Sequence, residues 1–230
     1  MRGEIVSIAV ACTIACGSES ANESNGSTSS SSSSSSGGSS SGTTSGNSVE
    51  AGGGCKIEAI GFNAGNMVQS LARASEGDGG VKWTDVDNAK ALDGAFAKVV
   101  LAAGQESEEL RISGFSFKLP VGSVFQGVDV RLDRQAPEGG IVDGAIALVG
   151  VKNQTAKGKF IATAWPSTIV GTHHYAQATD TWGMDLNPPD VETVSFGVGI
   201  WVKRDPSSTG PANATALVDA MQIRVHFCPP

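Results

Sequence analysis

The chain has 230 residues, a formal net charge of −7 at pH 7 and no cluster of lysines and arginines, which argues against a surface that neutralises phosphates and so against a nucleic-acid partner. Almost nothing large and apolar follows Ile14 in the first 54 residues, which excludes that stretch from a hydrophobic core. The remainder, 55–230, is long enough for one well-buried domain.

The chain opens with an apolar run from Ile5 to Ala15, too short to span a bilayer but placed where a signal peptide has its apolar region. Small residues precede Cys16, in Thr13-Ile14-Ala15, and others precede Cys12. Both sites resemble the lipoprotein box of bacterial lipoproteins, in which the cysteine becomes lipidated and N-terminal. The resemblance implies a signal peptide over 1–15, and Cys16 is preferred for lipidation because a polar segment follows it at once. Lipidation of Cys12 and a secretory signal without lipid remain alternatives.

A low-complexity segment covers 16–54, including the unbroken serines Ser29 to Ser36. Such a composition cannot bury enough apolar surface to offset its ordering entropy, so a disordered tether is expected. A Gly/Ser chain of this length has a root-mean-square span of roughly 35 Å. It would hold a domain away from the membrane to which Cys16 is anchored.

Two cysteines frame the expected domain, since Cys55 opens it, Cys228 nearly closes it, and no other cysteine lies between them. In an oxidising compartment they indicate one disulfide that joins the two ends of the domain. First and last strands would then be neighbours in one sheet. Two unpaired buried thiols are the alternative.

The apolar pattern of the domain has a period of two, which predicts strands with one face on a core. One helical alternative exists at Met67 to Ala74, ended by the glycines of 77–80. Turn residues separate the strands, and eight or nine short strands indicate an all-β sandwich or barrel. The predicted strands are 57–62, 96–102, 115–119, 128–132, 142–150, 159–165, 174–179, 195–202 and 221–227.

A pattern of strand and turn residues recurs along the domain, in Trp83, Asn88-Ala89, Leu92 to Ala97, Gly114 to Phe117, Leu119 to Gly122, Gly127 to Val130, Asp180 to Gly183, Asp190-Val191, Phe196 to Val198 and Val218 to Ala220. Together these segments resemble a jelly-roll module of bacterial surface and phage structural proteins. The resemblance implies a single jelly-roll-like β-sandwich over 55–230. The Asn88-Ala89 and Asp93-Gly94 pieces are also similar to the start of galactose-binding-like, discoidin-type domains, where an Asp-Gly turn helps to form a structural calcium site.

Candidate chemistry is sparse, and no catalytic set is recognised, so no enzyme is expected. Asp85, Asp87 and Asp93 place oxygen ligands in one loop, which suits calcium, although a solvated loop is the plainer interpretation. The adjacent His173 and His174 point to opposite faces of a strand and cannot chelate one metal together. The acidic run from Glu106 to Glu109 is expected in an exposed turn.

Trp201 is the one tryptophan whose strand register opposes the apolar face of Phe196, Val198, Ile200 and Val202. An indole on the outer face of a sheet, with Gly199 beside it, could stack a sugar ring or anchor a partner, unless a loop covers it. Trp83, Trp165 and Trp182 are expected in the core or in packing at a strand edge.

These features together predict an exported, lipid-anchored protein of the bacterial cell surface or periplasm. Its sandwich is expected to act as a non-enzymatic binding or adhesion module for glycans or envelope proteins. The alternative is a structural subunit that packs into or decorates a larger surface particle.

Overall fold

A computed structural model describes residues 55–73 and 79–230. The predicted signal peptide, Cys12, Cys16 and the tether lie outside the described residues. The strands within the described part are β1 (Glu58–Ala64), β2 (Met67–Leu71), β3 (Ala97–Ala102), β4 (Glu109–Ser113), β5 (Val124–Gln135), β6 (Ile141–Val149), β7 (Gly171–Tyr175), β8 (Gly197–Arg204) and β9 (Asn213–Cys228), with a 3₁₀ turn at Val86–Ala89 and a short helix α1 at Pro188–Val191.

The strands form two antiparallel sheets that face each other. One sheet has the order β1-β9-β5-β7, with β3 also paired to β9, and the other has the order β2-β4-β8-β6. Each strand belongs to the opposite sheet from its predecessor, so every connection crosses between sheets, as in a jelly roll. The predicted fold class, an all-β jelly-roll-like sandwich, is confirmed.

The core lies between the sheets and is built from the predicted alternation. In β8, Val198, Ile200 and Val202 are fully buried between the sheets. In β9, which belongs to the opposite sheet, Ile223 and Val225 are also fully buried between the sheets. Because β9 is long, it pairs with β1 near its end, with β3 near its start and with β5 along its other edge. It therefore joins the first and last parts of the domain in one sheet.

Two parts of the strand prediction were wrong near the start of the domain. The segment from Met67 to Ala74 forms no helix in its described part, because Met67–Leu71 is β2 and pairs with β4. Pairing with a neighbouring strand outweighs local helix propensity here. Strand β4 was missed, and the acidic run before it is not an exposed turn, since Glu106, Glu108 and Glu109 are all half-buried.

Two other predicted strands, 115–119 and 159–165, do not form a continuous pairing with a neighbouring strand. Phe115, Phe117 and Leu119 are buried as the alternation required, but Ser116 adopts φ 54° and interrupts the extended backbone. The segment 159–165 makes one isolated bridge, between Lys159 and Ile146 of β6. The predicted strand 174–179 begins and ends earlier, as β7.

The ends of the domain meet as predicted. The structure joins Cys55 to Cys228, with their Cα atoms 5.7 Å apart, and Cys228 is the last residue of β9. No helix among the described residues is long and apolar enough to cross a membrane.

Candidate functional site

A buried ion pair between Arg134 and Asp143 organises one end of the sandwich. Neither side chain is exposed to solvent. Residues 134 and 143 lie on β5 and β6, in opposite sheets, and Arg134 follows the inward face of β5. Asp143 reaches the interior because the register of β6 shifts between Asp143 and Ala145, where Gly144 is the extra residue. Without this bulge the alternation would turn Asp143 outward.

Asp143 also binds groups from the connection between β6 and β7. The Trp165 indole Nε1–H donates to its Oδ1 at 2.7 Å, and the Ile161 backbone N–H donates to its Oδ2 at 2.9 Å. The Tyr175 hydroxyl donates to Oδ2 at 2.7 Å. Burial, the first cause, and the Asp143 charge raise the pKa of Tyr175 well above its usual range. The carboxylate thus holds the connection against β6.

We use the name Phe160 loop for residues 156–166, which this network fixes in place. The Lys159 backbone pairs with Ile146 in both directions, at 2.7 and 2.8 Å, next to the hydrogen bond from Ile161 to Asp143. Between these two anchors, Phe160 turns outward and is 66% exposed. The hydrogen bonds on either side of Phe160 thus leave its aromatic ring open to solvent.

Phe160 lies in a groove of about 520 Å³ at this end of the sheet β2-β4-β8-β6. The groove collects residues from separate elements: the turn before β4, the start of β6, the Phe160 loop and the end of β8. Its lining combines apolar surface with side chains of both charges. The lining residues are Gly104, Glu106, Val142, Asp143, Gly144, Phe160, Ala162, Lys203, Arg204, Asp205 and Pro206.

Arg73 fixes the acidic wall of the groove. Its Nη2 contacts Glu106 Oε2 at 2.6 Å, and its Nε donates to the Ser107 carbonyl oxygen at 3.0 Å. The same guanidinium lies over the Trp201 ring, 4.0 Å from its centroid. Glu106 and Trp201 are therefore linked through one cation.

Trp201 lies on the outer face of its sheet, as its register predicted, but its ring is half-buried. Arg73 covers it, and Gly144 lies against it, where an added Cβ would come within 1.8 Å of the ring. The requirement for glycine at the β6 bulge follows from this close approach. Trp201 therefore supports the groove from beside it and is not among the residues that line it.

The structure does not assemble the predicted calcium ligands into one site. Asp87 contacts Lys90 at 2.7 Å, and Asp85 faces Lys98 at 3.7 Å. Asp93 accepts a hydrogen bond from the Ala95 N–H, as in an Asx turn. Across residues 55–73 and 79–230, no three His, Cys, Asp or Glu side chains are grouped so that they could hold a metal ion.

The two histidines point to opposite faces of β7, as predicted. His174 faces outward and meets the buried Asp129 carboxylate at 3.3 Å, while Arg224 contacts the same carboxylate at 2.7 Å. The pKa of His173 is lowered by burial and, next, by the Arg134 charge. The three other tryptophans are buried, as expected.

The groove residues Phe160, Lys203 and Asp205 were not singled out from the sequence. Phe160 stood in a predicted strand, where an apolar residue is assigned to the core by default. The usable signal was Gly158 before it, together with the apolar run Phe160-Ile161-Ala162, which breaks the alternation expected of a strand.

No protein-family model matches this chain, and no curated protein matches it. A jelly-roll sandwich serves many unrelated functions, so function has to be argued from the groove itself.

Proposed function

We propose that this chain is an exported, lipid-anchored surface protein whose sandwich domain is a non-enzymatic binding module, with the groove beside Phe160 as its ligand site. The observation that carries the proposal is the exposed Phe160 ring, which lines one open groove together with Glu106 and Lys203. Support for an extracytoplasmic location comes from the Cys55–Cys228 pairing, since disulfides persist in oxidising compartments.

A glycan is the ligand class that fits this lining best. A pyranose ring offers an apolar face that packs on an aromatic ring and a rim of hydroxyls that hydrogen-bond to charged side chains. Phe160 supplies the first kind of contact. Glu106 and Lys203 supply an acceptor and a donor for the second.

The glycan hypothesis is tested by applying the full chain to a glycan array and measuring the affinity of each positive ligand by calorimetry. Phe160→Ala should weaken binding about tenfold or more while leaving the melting temperature nearly unchanged, because the ring is exposed. Ile169→Ala is the matched control, since Ile169 is 69% exposed and does not line the groove. Equal affinities of wild type and Phe160→Ala would remove the groove from the proposal.

The anchor is tested separately at the N-terminus. Mass spectrometry of the mature protein should find acyl chains on Cys16, and processing should stop when lipoprotein signal peptidase is inhibited with globomycin. An unmodified N-terminus at another residue would refute the anchor and leave the groove proposal intact.

A second function, a structural subunit, is favoured by an apolar cleft at a different place on the sandwich. This cleft, of about 340 Å³, is lined by Leu119, Pro120, Val121, Gly122, Pro188, Pro189 and Glu192, and Val121 is 96% exposed. Light scattering of the full chain tests this function. A concentration-dependent oligomer that Val121→Glu abolishes would support assembly, and a monomer at all concentrations would count against it.

A further inference from the structure

Four cations and three carboxylates lie at or beside the groove, so positive charge is in excess by one. Glu106 is paired with Arg73, and the buried Asp143 is paired with Arg134. The third carboxylate, Asp205, accepts two hydrogen bonds from Ser207, at 2.9 and 2.7 Å, and also feels the positive charge of Lys203.

The buried cation without an ion pair is Arg204, which lines the groove and is only 2% exposed. Its guanidinium contacts backbone carbonyl oxygens alone: that of Leu101, at 3.5 Å, and that of Pro211. In the part of the chain that the structure describes, no carboxylate forms an ion pair with it, and its Nε has no hydrogen-bond partner. A buried charge without a counter-ion is costly, so an anion placed nearby is stabilised.

Lys203, the residue before Arg204, can contact a ligand directly, because it is exposed on the rim of the same groove. Within the described residues its ammonium group makes no hydrogen bond and no close ion pair, although its charge acts on the Asp205 carboxylate. Lys203 can therefore donate to a ligand, while the Arg204 side chain, on the opposite face of β8, adds positive potential from the interior. Phe160 bounds the same space with an apolar surface.

We propose that the ligand of the groove is an acidic saccharide whose carboxylate is bound by the Lys203 ammonium, with added positive potential from the buried Arg204 on the other face of β8. This inference rests on the proposed function and narrows its ligand class. A neutral sugar would pack on Phe160 equally well but would provide no counter-ion for the excess positive charge of the groove.

The experiment is a comparison of acid and ester forms of the same sugars. The full chain is applied to an array of galacturonate, glucuronate and N-acetylneuraminate oligosaccharides, each beside its methyl ester, which differs only in charge. We expect at least one acid to bind about tenfold more tightly than its ester in about 20 mM salt, and this preference to shrink in about 300 mM salt.

The variant Lys203→Gln should remove most of the preference for the acid form, with little change in binding of the ester. Lys152→Gln is the matched control, because Lys152 is also exposed but lies outside the groove. Equal binding of acid and ester, or an unchanged preference in Lys203→Gln, overturns the inference. Binding of neutral sugars that Phe160→Ala abolishes would keep the proposed function while this inference fails, and an array without any positive glycan would overturn both.

Discussion

Replacing Asp143 with alanine should be among the most damaging single changes in the domain. The substitution leaves Arg134 as an unpaired cation at a site where both side chains are fully buried. It also removes the acceptor for the Trp165 indole, the Ile161 backbone and the Tyr175 hydroxyl. Breaking one side of a buried ion pair costs about 3–5 kcal/mol, and we expect the free energy of unfolding to fall by that amount.

The measurement is chemical denaturation under non-reducing conditions, with comparison of midpoints at a constant m-value. Asp87→Ala is the control, because Asp87 pairs with Lys90 but its side chain is 77% exposed, and a surface pair of this kind contributes about 0–1 kcal/mol. The double variant Arg134→Met with Asp143→Leu should recover much of the loss, since no buried charge remains unpaired. A loss below about 1 kcal/mol in Asp143→Ala would refute the assigned role of the network.

Three further predictions concern other parts of the domain. Non-reducing peptide mapping should recover Cys55 and Cys228 in one cross-linked species, and Cys55→Ser should lower the free energy of unfolding by up to roughly 5 kcal/mol for a loop with a sequence separation of 173. Burial, and after it the Arg224 charge, lowers the pKa of His226, so the unfolded chain takes up its proton first; stability should therefore decline as the pH falls from about 7 to about 5, less steeply in His226→Gln. Trp201→Ala should lower the free energy of unfolding by roughly 2 kcal/mol, between the values for an exposed and a fully buried ring, because Arg73 and Gly144 cover the ring only in part. A melting curve of Trp201→Phe, which keeps a smaller aromatic ring, shows how much of this loss comes from the indole in particular.

The period-two alternation was enough to predict the sandwich and most of its core. Val198, Ile200 and Val202 follow the rule that alternate side chains of a strand share a face, a rule that depends on the backbone alone. The framing of the domain by Cys55 and Cys228 likewise predicted that its ends meet. Where sequence reasoning was wrong, as at Met67–Leu71, a pairing with β4 outweighed a local preference that favoured a helix.

The groove depended on tertiary structure. Asp143 belongs to a strand whose pattern would turn it to solvent, and only the bulge at Gly144 directs it inward; the close Trp201 ring requires a glycine at that position. That inward carboxylate holds the Phe160 loop, and the loop leaves its aromatic ring in solvent. The sequence by itself determined which faces are apolar, because that depends on a repeat along one strand. Which charged and aromatic groups meet was decided by bulges and crossings between strands far apart in the chain, and no local pattern records those contacts.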